Sequence, residues 1–573
     1  MTVDEIIGHC LRVIDEATAE MSRYNLWLPR KNNPLRDLPD VSERSVSRRS
    51  ALGRDLLARI DALDLDPLPD ALGLTVRVVR RYAATWSREA DWWWIVCDPL
   101  GLGFYSLFLP TAYSGAFVLT EIHKLLRGFR FEAEGDLNRY LALLEDYARL
   151  VDQFHDRTRG QAERGIRIPQ AQFDRVVDLF TALRAAAPGA LAVDAARTKE
   201  LHGSKAFEAS AERIVQGPIA AAFDRLLDGL SSEYRAAAPD AVGMSQYPGG
   251  AAVYEELVAL NTTLPLTAAD VHRRGHERME RIVAEKRALA TAAGYSGVAE
   301  FEASIDADPR WRAETPEAVK ALFQQYIDRI APFLPTVFDT LPTAAVTAAA
   351  LPAEVSGSMT FGYYGQPSEE QPDGTYFFNA VHLTRRPLAN VAALTYHELN
   401  PGHHLHVATQ LENSSLPEVR RTALFNAFNE GWAEYAATLA GELGMYSDPV
   451  ERYGRLMMDA FLTCRLVVDT GMNAFGWDLE RARDYLREHS GVSEGEIQSE
   501  TIRYSCDIPA QSLAYKLGDD YFVQLREEMR ARLGERFDIR DFHAAAVEGG
   551  SLPLPLVADA VRRMEPRDRS ASR

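Results

Sequence analysis

A chain of 573 residues, 46% hydrophobic and 25% charged, carries enough apolar surface for a large core and more than one lobe. Its formal charge of −19 argues against a nucleic-acid binder and against a protein that sits on anionic membranes. No apolar run reaches the ~20 residues of a membrane helix. Met1-Thr2-Val3-Asp4-Glu5 lacks the basic start of a signal peptide, so a cytoplasmic location is expected.

Apolar residues recur near the helical period over residues 11–21, 48–63, 74–89, 137–163 and 170–186, with charges between them. Ala236-Ala237-Ala238-Pro239-Asp240 and Tyr247-Pro248-Gly249-Gly250 interrupt this pattern. They divide an N-terminal helical lobe, 1–240, from a second region, 241–573, which holds the residues that carry chemistry. Within the second region, Thr267 before Ala268-Ala269-Asp270 predicts a capped helix running toward Ala292. Thr315-Pro316-Glu317 predicts another helix start, and the Ala-rich segments read as helix formers. Cys10, Cys97, Cys464 and Cys506 form no CxxC pair, which predicts buried free thiols rather than a thiolate zinc site.

The helical pattern breaks once. Residues 359–364 and 375–381 are aromatic and β-prone, separated by Gly365, Pro367, Pro372, Asp373 and Gly374. They predict a small sheet or hairpin just before the metal motif. Its role is either structural or to hold an extended peptide by main-chain hydrogen bonds, with Asn379 as a candidate substrate contact.

The most informative segment comes next: His397-Glu398-Leu399-Asn400-Pro401-Gly402-His403-His404-Leu405-His406. Asn429-Glu430-Gly431-Trp432-Ala433-Glu434 follows it. Imidazoles beside a glutamate, then a later glutamate, are the ligand types of a zinc hydrolase. In an ordinary HExxH helix two histidines four apart share one face. Here His397 lies six residues from His403 and seven from His404. Seven helical residues span roughly 10 Å, too far for two bonds of ~2.1 Å to one ion. Pro401 cannot donate to the carbonyl of residue 397, and Gly402 tolerates unusual angles. The helix is therefore expected to kink or bulge here, the alternative being that it ends at Asn400. Removing Asn400-Pro401 leaves His-Glu-Leu-Gly-His, which makes His403 the preferred second ligand and His404 the alternative. Whichever of the two does not bind stands near the site as a catalytic or substrate group, and His406 is the weakest candidate. Glu398, next to the first ligand, is the expected general base for a metal-bound water. Glu430 is the expected third ligand, since its segment resembles the Asn-Glu-Gly-Phe-Ala stretch of zinc aminopeptidases. Glu434, one turn later, reads as a solvated or structural carboxylate, with orienting a histidine as the alternative.

These motifs do not stand alone. The chain resembles the bacterial family known as domain of unknown function 885, whose members look like zinc metallopeptidases. That family shows His-Glu-x-x-Pro-Gly-His-His followed by Glu-Gly-Trp-Ala. Further matches follow in order, among them Cys464-Arg465-Leu466-Val467-Val468-Asp469, Arg503-Tyr504, Pro509-Ala510-Gln511 and Ala514-Tyr515-Lys516-Leu517-Gly518. The resemblance implies a mainly α, two-lobed, oligopeptidase-like body with a deep cleft. It offers Arg503 and Tyr504 to polarise a carbonyl or stabilise an oxyanion, and Gln511, Tyr515 and Lys516 as substrate contacts. The chain departs from the family pattern at Asn473 (usually histidine), Ala510 (glycine), His406 (glutamine) and Glu434 (apolar). The ligand set is intact, so these departures point to a specialised substrate rather than a lost metal.

The expectation is a zinc-dependent hydrolase of peptide or other amide bonds in short substrates. It holds one Zn2+ per chain, or another divalent metal, works as a monomer or homodimer, and has no nucleic-acid or membrane partner. Two alternatives stay open. One is a non-haem iron enzyme acting on an amino-acid or peptide-like metabolite; the other is a non-catalytic member of the fold.

Overall fold

A computed structural model describes residues 2–23, 26, 35, 37–351, 362–368, 371–380 and 388–567. The chain is mainly α, with one small sheet among the described residues. The five periodic segments form the helices Val3–Arg23, Glu43–Asp61, Asp70–Trp92, Glu134–Glu163 and Gln170–Ala190. Thr267 accepts from the N–H of Asp270, whose carboxylate accepts from the N–H of Thr267, and this reciprocal cap opens the helix Ala268–Ala292. Thr315 caps Pro316–Ile330, with proline at the first helical position, where its missing N–H costs nothing. All four cysteines are buried and free. Among the described residues no helix is long and apolar enough to cross a membrane.

The chain separates into two compact units. The first comprises Met1–Tyr254 with Met472–Asp478 and Ile502–Pro509. It thus extends beyond residue 240 and takes in two segments from late in the chain. Their hydrogen bonds give the reason. Asn473 Oδ1 accepts from the N–H of Met244 and its Nδ2 donates to the Tyr504 carbonyl, both at 3.0 Å. The Asp507 carbonyl accepts from the N–H of Leu107 at 2.9 Å, and the Asp507 carboxylate accepts from Gln172.

The second unit comprises Glu255–Gly471, Leu479–Thr501 and Ala510–Arg573. At its centre the helices Asn426–Glu442 and Ala514–Leu533 pack tightly together. A Cβ on Gly431 would overlap Gly518, and a Cβ on Gly518 would overlap Gly431, so this approach requires glycine on both sides. Beside this crossing, Trp432 packs on Tyr435 and Phe522 with ring centroids 5.3 and 5.5 Å away, a tilted and an edge contact that add to the burial of large apolar rings.

Three strands precede the metal motif: β1 (Val346–Ala350), β2 (Gly362–Gly365) and β3 (Gly374–Phe378). They lie in the order β1-β3-β2, with β1 parallel and β2 antiparallel to β3. The β2–β3 pair is the expected hairpin; residues 359–361 and 381 lie outside the described residues. β1 overturns the helical reading of its Ala-rich sequence. Pro342 and Pro352 bracket it in the chain and disfavour a helix, while β3 offers a ladder from Val346↔Gly374 to Ala350↔Phe378.

Among the described residues two non-glycine residues, Thr263 and Ala510, have positive φ. Ala510 has φ +64°, in the left-handed region that favours glycine. Asp469 holds it there. Both carboxylate oxygens accept from the Ala510 N–H at 3.1 Å, and Oδ2 also accepts from Ser512 Oγ at 2.7 Å. Replacing Ala510 with glycine relieves this conformation and is expected to raise the unfolding free energy by about 0.5–1 kcal/mol. The check is a higher urea midpoint at unchanged slope; a lower midpoint would show that the alanine is not strained.

Candidate metal centre

The site begins where a helix stops. Val391–Glu398 ends at Glu398, and Leu399, with φ −108° and ψ −124°, leaves the helical region. The Asn400–Pro401 bond is cis, and a new helix runs over His403–Glu412. The expected kink or bulge is thus a full interruption, beginning at Leu399, one residue before Asn400. A Cβ on Gly402 would overlap the His397 carbonyl oxygen, so glycine lets the backbone fold back over His397 and carries His403 with it. Trp432 Nε1 donates to the Pro401 carbonyl at 3.0 Å, which ties this turn to the helix that carries Glu430.

The fold-back brings three expected ligands together. Glu430 Oε2 lies 3.2 Å from His403 Nε2 and 3.6 Å from His397 Nε2, and the three donor atoms all fall within 4.8 Å of one another. Donors sharing one ion through bonds of ~2.1 Å stand roughly 3–3.6 Å apart, so this set fits a single divalent cation. Each imidazole is also braced from behind. His397 Nδ1 meets Glu434 Oε1 at 2.9 Å, and His403 Nδ1 meets His406 Nε2 at 3.2 Å. Such partners fix the ring and aim Nε2 at the ion. Burial holds His406 well below the ordinary imidazole range, so it stays neutral, and its Nε2 is placed to accept from His403 Nδ1 when a cation takes His403 Nε2.

His404 turns the other way, which corrects its expected catalytic role. Its Nε2 donates to the Ala344 carbonyl at 3.0 Å, leaving Nδ1 to accept from the Tyr364 hydroxyl at 3.0 Å. Neighbouring helical residues point about 100° apart, so His403 and His404 cannot both face one ion. His404 pins its helix to the sheet instead.

The surrounding carboxylates favour positive charge on the imidazoles. Burial pulls His397 down, but Glu430 and Glu434 outweigh it and hold the imidazole up at about 10. Burial pushes Glu430 up, yet its bonds to His397 and His403 keep it well below the carboxylate range. Burial wins at Glu398, whose carboxyl stays raised although His397 and His403 oppose the shift.

Behind His397 lies a buried ion network. Glu434 is 1% exposed, not solvated, and its Oε2 pairs with Lys516 at 2.8 Å and Arg455 at 2.9 Å. Lys516 also binds Asp519 at 2.6 Å and Asp459 at 3.0 Å. Arg278 closes the network on Asp459, Asp519 and Asp520. The expectation that Lys516 contacts substrate is therefore corrected: its ammonium is wholly buried as the counter-ion of three carboxylates.

The remaining candidates are spread more widely. The Tyr515 ring lies nearly parallel to His397, with centroids 6.1 Å apart, and Arg465 sits 4.8 Å over it and hydrogen-bonds with it. Gln511 is buried in the short turn that leads into the Tyr515 helix. Asn379 is half-buried directly after β3. Arg503 and Tyr504 belong to the first unit, where Arg503 lies 5.2 Å over the Tyr113 ring. Sequence reasoning missed Tyr364, Arg455 and Arg465. Tyr364 stacks on His403 at 6.4 Å, but in sequence it was one aromatic among several on a strand, and neither arginine carries a spacing signal.

A mainly α body around a His/His/Glu cluster defines the class of protein. The chain belongs to the family described as bacterial protein of unknown function (DUF885), whose profile matches residues 28–561. It is similar to a solved "putative lipoprotein" from Colwellia psychrerythraea, with TM-score 0.82, 23% identity, and 97% of this chain and 98% of that one covered. It is also similar to a "putative lipoprotein of unknown function" from Shewanella oneidensis, with TM-score 0.70, 15% identity, and 97% and 99% covered. At these identities the likeness concerns the fold alone. No curated protein matches the chain.

The ion network yields a stability prediction. Lys516→Met leaves three buried carboxylates short of a partner and is expected to cost about 3–5 kcal/mol in chemical denaturation. A loss below ~1 kcal/mol would contradict the counter-ion assignment.

Proposed function

We propose that the chain is a metal-dependent hydrolase of peptide or other amide bonds in short substrates, with zinc as the expected ion. The observation that carries this reading is Glu430 Oε2 standing 3.2 and 3.6 Å from two braced imidazoles, with Glu398 adjacent in sequence to one of them. A purely structural zinc site has no need of that second glutamate. Zinc, when bound, supplies a Lewis acid for the substrate carbonyl and makes water a better nucleophile. His397, His403 and Glu430 hold the ion. Glu398, with its carboxyl raised by burial, takes the proton from the attacking water and returns it to the leaving amine. Tyr515, set against His397 and partnered by Arg465, is a phenol beside the cluster in the second unit; the other, Tyr364, has its hydroxyl on His404. We give it the oxyanion-stabilising role expected of Arg503 and Tyr504. An extended peptide adding to β2, at the edge of the strand order, would run past Tyr364, with Asn379 and Gln511 as further contacts. A cytoplasmic enzyme remains our reading of location; cell fractionation against the lipoprotein-like relatives decides it.

A second reading rests on the same donor set, since two imidazoles and one carboxylate also suit non-haem iron. Metal content of the protein as isolated separates the two. We expect zinc in the wild type, lost in Glu430→Ala. Stoichiometric iron with oxygen-dependent turnover would favour the second reading, and no metal after reconstitution would sink both. Glu434→Ala, which removes the brace on His397, is expected to weaken zinc binding about 10–100-fold by chelator competition. Glu398→Gln is expected to keep its zinc yet lower kcat on a peptide library by about 10²–10⁴-fold. Retained turnover in that variant would reject Glu398 as the base.

A further inference from the structure

We propose that His272 and His276 form a second metal site, for a divalent cation of the kind imidazoles prefer, with Cu2+ bound most tightly and Ni2+ and Zn2+ less so. The site shares no residue with the His397 cluster and does not depend on the hydrolase reading.

The two histidines lie four apart on the helix Ala268–Ala292, which puts them on one face one turn apart. Their Nε2 atoms are 3.3 Å apart and their rings are nearly perpendicular, at 78°. Two nitrogens bound to one ion at ~2.0–2.1 Å with a tetrahedral angle stand about 3.3 Å apart, so the pair already has the required bite.

The hydrogen bonds set the lone pairs. Thr470 Oγ1 donates to the Leu466 carbonyl at 2.6 Å, so it accepts from His272 Nδ1 at 2.8 Å. The His272 proton is therefore on Nδ1, and its Nε2 presents a lone pair to His276. On His276 the other nitrogen, Nδ1, faces the Tyr485 hydroxyl at 3.5 Å. Without an ion, a proton on His276 Nε2 bridges the two rings. With an ion at the shared point, that proton is released from Nε2 and Nδ1 takes one up, with Tyr485 as its acceptor. A hydroxyl behind each ring is the support that metal-bound histidines carry. Both rings are half-buried, and burial keeps both below the ordinary imidazole range, in the neutral form that ligates. Glu280, one turn further on, favours a cation beside His276, while Arg481 opposes it. Two ligands leave coordination positions for water, and imidazole pairs rank metals in the order that puts copper first.

The test uses the full-length chain, stripped with chelator and titrated with Cu2+ alone. In the double variant His403→Ala/Glu430→Ala, which leaves the first cluster a single imidazole, we expect one copper per chain, with nitrogen couplings from two imidazoles in pulsed electron paramagnetic resonance. Adding His272→Ala and His276→Ala is expected to remove that equivalent. Copper that persists in the quadruple variant, or no stoichiometric copper in the double variant, would overturn the proposal. Should the double variant not fold, the unsubstituted chain serves: His276→Ala is expected to lower bound copper from two equivalents to one. A wild type with a single equivalent, lost only on changing His276, would keep this site and reject the first. One lost only on changing Glu430 would do the reverse.

Discussion

Glu434 divides its two oxygens between two environments. Oε1 meets His397 Nδ1, and Oε2 meets Arg455 and Lys516. The first contact sets which nitrogen of His397 faces Glu430; the second keeps Glu434 ionised at a depth where a lone carboxylate would take up a proton. Three cations, Lys516, Arg455 and Arg278, face four carboxylates, Glu434, Asp459, Asp519 and Asp520. The network thus carries one more carboxylate than cation, before Glu430 is counted. A buried site of this kind is incomplete without positive charge at the imidazoles, whether protons or a metal ion supply it.

Geometry at the site depends on close backbone approaches. Gly402 against the His397 carbonyl reverses the chain, and Gly431 against Gly518 brings the Glu430 helix close to the helix that carries Tyr515 and Lys516. Trp432 links the two arrangements through its bond to the Pro401 carbonyl. The Glu-Gly-Trp run therefore supplies a ligand, a close packing position and a tether in consecutive residues. A ligand set spread over two short helices and one long one keeps its bite because these contacts leave little room for relaxation.

Much of this was legible in the residues. Helical periodicity and the caps at Thr267 and Thr315 are local signals, and the helices follow them. The ligand types were legible because Pro401 and Gly402 flag a break between histidines too far apart for one helix. The choice between His403 and His404 was less so. It turns on the Ala344 carbonyl and the Tyr364 hydroxyl, which engage His404 from segments forty or more residues away. Lys516 looked like a substrate contact because a lysine in a motif reads as a charge offered to a ligand. Asp519 is a helical neighbour three residues on, but Glu434 and Asp459 come from two other helices, and no spacing along the chain shows them. β1 was hidden for a similar reason: its alanines favour a helix, and only its partner strand makes it extended.

By itself, the sequence determined the helical content, the capped helix starts, a break between His397 and His403 and the inventory of imidazoles and carboxylates. These follow from backbone preferences and side-chain chemistry that act within a few residues. Only the tertiary structure decided which imidazole turns inward, that Glu434 braces rather than faces solvent, and that segments 472–478 and 502–509 rejoin the first unit. Those outcomes depend on burial and on partners distant in sequence, because the energy of a charge or a hydrogen bond is set by what surrounds it in space.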